Sequence, residues 1–256
     1  MVTTGSLCSK VVLVTGATSG MGRATALRSA ADGARVVVAG RNEEAGEETV
    51  SVIREKGGTA FFARCDVTAE SDCAALVERA LSAYGNLDCV FNNAGVLGAK
   101  GLLTEIDTAD WWSEVEVNLG GVYLGMKHQI PALVAGGGGA IVNNASLLGV
   151  RGTPRASAYV AAKHGVVGLT KAAALEFAAH GVRVNALVTG PVDTPALTST
   201  SGHVDRVAIV ADAAAHTPVG RVGEPGEVAA FTAFLFSDEA KFITGAALAV
   251  DGGMSA

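Results

Sequence analysis

The sequence predicts an α/β fold, a single domain built on a doubly wound parallel sheet with helices on both faces. Three observations point there. Strand-like and helix-like segments alternate almost without interruption along the 256 residues, the pattern of repeated β-α-β units. The strand-like runs, such as Val11–Thr15 and Arg35–Ala39, are continuously apolar and rich in β-branched residues, as strands buried on both faces should be. A glycine-rich turn joins the first strand to the first helix.

Taken in order, Val11–Thr15 leads into an Ala-rich helix over Gly20–Asp32, then a strand over Arg35–Ala39. Asn42–Lys56 is an amphipathic helix ended by Gly57-Gly58. Thr59–Arg64 reads as a strand, Glu70–Tyr84 as a helix and Leu87–Phe91 as a strand. One long helical pattern runs from about Thr108 to Leu133, where Gly136–Gly139 breaks it. Ala140–Asn144 is a strand, Ser157–Ala179 a helix, Arg183–Val188 a strand, Pro225–Leu235 a helix and Ala246–Val250 the last strand. Gly190–Val222, with Pro191, Pro195 and Pro218, is the one long irregular stretch. A segment of that length in a compact domain reads as a substrate lid, about 190–222. No linker or repeat divides residues 1–256, so one domain is expected.

Composition limits the function classes. Hydrophobic residues make up 49% of the chain, enough for a substantial core. The formal net charge of −6 argues against a nucleic-acid or anionic-membrane surface. No apolar run approaches the roughly 20 residues of a spanning helix. Met1–Lys10 lacks the basic-then-apolar layout of a signal peptide, so a cytoplasmic location is expected. Cys8, Cys65, Cys73 and Cys89 form no C-x-x-C pair and read as reduced, packed thiols. The five histidines (128, 164, 180, 203 and 216) show no metal spacing.

The glycine turn is Thr15-Gly16-Ala17-Thr18-Ser19-Gly20-Met21-Gly22. Its glycines allow a tight bend and let the backbone approach a pyrophosphate resting on the helix N-terminus. The second strand ends Ala39-Gly40-Arg41-Asn42. No carboxylate stands there to accept from a ribose 2′-hydroxyl, whereas Arg41 suits a 2′-phosphate. NADP(H) is therefore favoured over NAD(H), the alternative being that Arg41 is only a solvated charge. Asp66, with Val67 after it, follows the third strand and suits either an adenine amino group or a turn. Asn92-Asn93-Ala94-Gly95 ends the fourth, its small residues leaving room for a cofactor against the backbone. Further on, Tyr159 and Lys163 are four residues apart and share one helix face. Ser146 follows the apolar run ending at Asn144.

Together these residues resemble the classical short-chain dehydrogenase/reductase family over nearly the whole chain. The resemblance rests on the T-G-x-x-x-G-x-G turn at Thr15–Gly22, the N-N-A-G segment at Asn92–Gly95, Asn118, Ser146, the Y-x-x-x-K pair and the closing segment Ile243–Gly253. It implies a Rossmann-like sheet of about seven strands and NAD(P)(H)-dependent chemistry at a carbonyl or alcohol carbon. It implies that Asn118, Ser146, Tyr159 and Lys163 act together, that Thr194 anchors the nicotinamide beside Pro191 and Val192, and that most members are homotetramers. Two departures stand out. Thr189-Gly190 replaces the usual Pro-Gly after the sixth strand, and Ala145 replaces the first serine of a Ser-Ser pair.

On this reading Tyr159 is the acid/base, Ser146 holds the substrate oxygen, and Asn118 ties Lys163 to a water relay. A cation about 4 Å from the phenol is worth about 4 kcal/mol at an effective dielectric of about 20, which would lower its pKa by up to about 3. Val96, Leu97, Leu147, Leu148, Val150 and Val192 are expected to line the substrate pocket with the 195–216 lid. Their aliphatic character favours a moderately hydrophobic ketone or alcohol. Arg151 and Arg155 could meet an anion, but read better as solvated loop charges. The other readings are an NAD-dependent sugar or alcohol dehydrogenase, a 3-oxoacyl-carrier-protein reductase, and a dinucleotide-binding sensor without activity. The second would want basic residues to dock an acidic carrier, yet the turn after the long helix is Ala135 followed by four glycines.

Overall fold

The computed structural model describes residues 5–198 and 205–256. Seven strands form one parallel sheet. They are β1 (Val11–Thr15), β2 (Arg35–Gly40), β3 (Thr59–Arg64), β4 (Cys89–Asn92), β5 (Gly139–Asn144), β6 (Val182–Thr189) and β7 (Ala247–Val250). Their spatial order is β3-β2-β1-β4-β5-β6-β7. The chain runs outward from β1 to β3, then returns to place β4 on the other side of β1. That reversal opens a crevice at the carboxyl ends of β1 and β4, where open α/β sheets bind ligands.

The flanking helices are α1 (Gly20–Ala31), α2 (Glu43–Glu55), α3 (Glu70–Tyr84), α4 (Thr108–Val115), α5 (Gly121–Ala135), α6 (Ser157–Phe177), α7 (Pro195–Thr198), α8 (Arg206–Ala215) and α9 (Pro225–Phe236). Their ends follow local chemistry. The Asn42 side chain accepts from Ala45 N at 3.1 Å and caps α2. Gly85, at φ 80°, closes α3 in the left-handed region. Pro225 opens α9 behind a capping box formed by Glu224 and Glu227.

Alternate residues of each strand face opposite layers, which splits the core in two. On one face Val11, Leu13, Val37, Val90 and Ile141 pack with α3, α5 and α6. On the other Val12, Val14, Val36, Val38 and Val142 pack with α1, α2 and α9. Both sets are fully buried, and each such side chain contributes about 1.5–3 kcal/mol.

Three expectations change. The pattern from Thr108 to Leu133 is not one helix: a π turn over Glu116–Gly120 separates α4 from α5. The segment 190–222 is not wholly irregular, because α8 lies within it, its first turn capped by the Asp205 carboxylate on Val207 N at 2.9 Å. The strands are not uniformly apolar: Asn92, Asn143, Asn144 and Asn185 are buried in them. They pay no desolvation penalty because they bond one another and the neighbouring backbone, as in Asn92 Nδ2 to Asn143 Oδ1 at 2.9 Å.

Candidate active site

The β1–β4 crevice is a cavity of about 760 Å³. One end is built by the glycine turn. Gly16 sits at φ 64°, and a Cβ there would come within 2.9 Å of Ala94 Cα. A Cβ on Gly22 would sit 2.2 Å from Gly16 O. Gly22 therefore closes the turn from behind and does not line the cavity, whereas Gly16, Thr18, Ser19, Gly20 and Met21 do. Ser19 starts α1 without a side-chain cap, and the first turn holds no acidic residue. Its amides are thus open to an anion, and the cradle fits a dinucleotide pyrophosphate.

Beyond the turn, Arg41, Asp66 and Val67 line one end of the cavity. Arg41 is exposed and makes no ion pair with the described residues. Asp66 Oδ1 accepts from Thr68 N at 3.1 Å and Thr68 Oγ1 at 2.8 Å. Those bonds, with the Arg41 and Arg64 charges, hold its carboxyl below the usual carboxylate range. Asp66 is therefore a turn residue as well as a cavity wall. Asn93, Ala94 and Gly95 line the middle, where Asn93 Nδ2 bonds Thr15 O at 3.1 Å.

At the far end Ser146, Tyr159 and Lys163 converge on the cavity. α6 carries Tyr159 and Lys163 on one face, and β5 delivers Ser146. The Ser146 backbone is strained, with φ 62° and ψ 159° in a region that glycine dominates. Its hydroxyl accepts from Leu148 N at 3.3 Å and, beside the Tyr159 phenol, favours that group's ionised form. The Lys163 ammonium is buried, lies 5.4 Å from the Tyr159 ring centroid and donates to Asn144 O at 2.7 Å.

The electrostatics correct one expectation. Burial raises the Tyr159 pKa, the Ser146 hydroxyl opposes that rise, and the Glu114 charge adds to it. Lys163 faces the ring and a carbonyl, so it does not depress the phenol as the helical spacing suggested. Burial instead pushes the Lys163 ammonium down to about 8, with Glu114 opposing.

Asn118 lies in the π turn, buried under the cavity floor. Its Nδ2 donates to Val96 O at 2.8 Å and to Glu114 O at 2.9 Å, and its Oδ1 accepts from Val96 N at 3.2 Å. A Cβ on Gly95 would be 2.7 Å from Asn118 Oδ1 and 3.6 Å from Lys163 Nζ, so Asn118 and Lys163 border the same point. π turns of this kind recur at functional sites.

The remaining expected residues divide. Val96, Leu97, Leu147, Leu148, Pro191, Val192 and Thr194 line the cavity, with Asp212 from α8 and His216 at its end. Val150 does not; it follows a short turn after Ser146 and is 43% exposed. Arg151 donates to Met254 O, and neither it nor Arg155 reaches the cavity. His203 lies outside the described residues. Among the described residues no cluster of three His, Cys, Asp or Glu could hold a metal. Met254, Asn144 and Thr189 also line the cavity. Thr189 stands where the family pattern has proline, and its Oγ1 donates to Asn144 Oδ1 at 3.2 Å.

The comparisons agree with this geometry. The family model described as enoyl-(acyl carrier protein) reductase matches residues 16–255. The chain is 44% identical to the cyclohexanol dehydrogenase of Acinetobacter sp. (strain SE19), over 95% of this chain and 94% of that one. The solved structure of levodione reductase superposes with a TM-score of 0.93 at 35% identity, covering 97% of this chain and 98% of the other. A variant of actinorhodin polyketide ketoreductase, solved with NADPH, superposes with a TM-score of 0.91 at 40% identity, covering 96% and 97%. The chain therefore belongs to the short-chain dehydrogenase/reductase family and is an oxidoreductase acting on CH–OH and C=O groups.

Proposed function

We propose that the protein interconverts a compact alicyclic secondary alcohol and its ketone, using NADP(H), with Tyr159 as the acid/base. The observation that carries this is one cavity with Arg41 at one end and the Ser146–Tyr159–Lys163 group at the other. A nicotinamide held in this cavity would supply the hydride. In ketone reduction the Tyr159 phenol gives its proton to the substrate oxygen. The Ser146 hydroxyl, beside that phenol in the cavity, donates to the same oxygen and orients it. Lys163 keeps a positive charge beside the phenol, and Asn118 fixes the Gly95–Val96 backbone against which a nicotinamide ribose would lie.

Two supports favour an alicyclic substrate: the aliphatic walls from Leu97, Leu148 and Val192, and the name of the cyclohexanol dehydrogenase relative. The 2′-phosphate reading rests on Arg41 and gains from the NADPH bound to a structural neighbour. We also read the protein as a cytoplasmic homotetramer. Tyr123, Ile130, Val134, Leu169 and Phe177 border an apolar hollow of about 370 Å³ on the outer face of α5 and α6, which suits a second copy. No described helix is long and apolar enough to cross a membrane.

The test is a spectrophotometric assay with cyclohexanone, an open-chain ketone, a sugar and a 3-oxoacyl thioester, each with NADPH and NADH. Turnover of cyclohexanone with NADPH is expected to be the highest. Tight NADPH binding without turnover of any ketone would favour a sensor, and preference for NADH would remove the Arg41 argument.

A further inference from the structure

We infer that Glu114 is a positioning residue of this site: its buried carboxylate fixes the wall formed by residues 96–99 and serves as the counter-charge of Lys163. This rests on the reading of Tyr159 and Lys163 as the acid/base pair. Nothing in the run Trp111-Trp112-Ser113-Glu114-Val115-Glu116 marks Glu114 out. Its place in the fold does. The side chain is only 3% exposed, in a helix whose other residues are all at least partly open to solvent. Glu114 Oε1 accepts from Gly98 N at 3.0 Å and Oε2 from Ala99 N at 3.1 Å. The segment it holds follows directly on Val96 and Leu97, which line the cavity. Asn118 braces the same segment from the π turn, through Val96 and the Glu114 carbonyl.

A buried carboxylate needs compensation. Two backbone amides provide part of it. No Lys, Arg or His forms an ion pair with Glu114 among the described residues. α4 packs on α6, and the charged or titratable groups there that feel Glu114 are Tyr159 and Lys163. Lys163 in turn faces the Tyr159 ring on its own helix, Asn144 O from β5 and the Glu114 charge from α4. Two groups of opposite charge are thus buried on adjoining helices, and among the described residues no other charge acts on the lysine. Removing the negative charge makes the ammonium harder to keep, so Lys163 releases its proton at lower pH. The phenol, freed of the same charge, also ionises at lower pH. Both changes move the alkaline limit of ketone reduction down.

The experiment uses the full chain as Glu114→Gln and Glu114→Asp. Lysine labelling followed by NMR reads the Lys163 titration directly, and amide exchange reads Gly98 and Ala99. Cyclohexanone reduction by NADPH gives kcat, KM and the pH profile. In Glu114→Gln the Lys163 titration and the alkaline limb should both fall by about one pH unit. KM should rise about tenfold, with NADPH binding unchanged. In Glu114→Asp the Lys163 titration should stay near wild type while the Gly98 and Ala99 amides exchange faster and KM rises. If Glu114→Gln does not fold, the aspartate variant decides, because wild-type exchange and wild-type KM there overturn the inference. An unchanged Lys163 titration in folded Glu114→Gln also overturns it. Absence of ketone turnover by the wild type would instead sink the functional reading, while the NMR titration still tests the charge pairing.

Discussion

The Lys163 ammonium donates to the backbone carbonyl of Asn144 at 2.7 Å, so the helix that carries Tyr159 is tied to the end of β5. The Asn144 side chain is itself held from both sides. Its Nδ2 donates to Asn93 Oδ1 at 3.2 Å, and its Oδ1 accepts from Thr189 at 3.2 Å. Three strand ends are therefore bonded together beneath the cavity. Thr189→Val keeps the shape but leaves Asn144 Oδ1 without its donor. It should cost about 1–3 kcal/mol of stability, read by urea denaturation, while Thr189→Ser should cost clearly less. Equal stability of the valine variant and wild type would show that the bond is not stabilising.

Tyr159→Phe removes the proposed proton donor and keeps the ring under which Lys163 sits. Turnover should fall about a hundredfold to ten-thousandfold, and NADPH affinity should stay within about threefold. Near-normal kcat would rule out the proposed acid/base role.

The strain at Ser146 separates its catalytic and structural effects. At φ 62° and ψ 159° any residue with a Cβ costs about 1–3 kcal/mol. Ser146→Gly and Ser146→Ala both lose the hydroxyl, so both should lose about a hundredfold or more in kcat. Only glycine relieves the backbone. The glycine variant should therefore be the more stable of the two by about 1 kcal/mol, after its larger unfolded-state entropy is counted. A more stable alanine variant would mean the strain is not real.

Arg41 is the residue on which cofactor choice turns. Arg41→Ala should raise the KM for NADPH about tenfold or more, the loss of one charge-assisted bond, and leave the KM for NADH nearly unchanged. Parallel changes for both cofactors would show that Arg41 supports the turn and does not read the 2′-phosphate.

Much of this was legible in the sequence, and the exceptions share a cause. Tyr159, Lys163 and the glycine turn announce themselves because their partners are four to seven residues away or sit on the strand-helix junction they create. The Asn144–Thr189 bond could not be read, since it joins β5 to β6 across 45 residues. The π turn at Asn118 needs tertiary bonds to Val96, so the helical pattern ran through it. α8 is different: Asp205 followed by an Ala-rich run is a legible start signal, masked by the prolines on either side. The phenol's pKa went the wrong way because burial and the aim of an ammonium are properties of the fold and not of spacing.

The buried Lys163 gives the last prediction its sign. Its ammonium titrates near 8 in the folded chain, against an ordinary value of 10.5. Below pH 8 both states carry the proton, and burying the charge costs the fold about 3 kcal/mol. Between pH 8 and about 10.5 the unfolded chain binds more protons, so this group makes stability rise with pH across that window. The buried Cys89 thiol acts oppositely above about pH 9, since burial raises it to about 12, so wild-type curves alone mix the two effects. The difference between wild type and Lys163→Met isolates the lysine. Whatever the difference at pH 7, wild type should gain stability relative to the variant as pH rises from 8 toward 10. Turnover should run the other way, because reduction needs the cation that stability at high pH discards. A gap independent of pH, measured by denaturant unfolding from about pH 7 to about pH 10, would mean that Lys163 keeps an ordinary pKa in the folded protein.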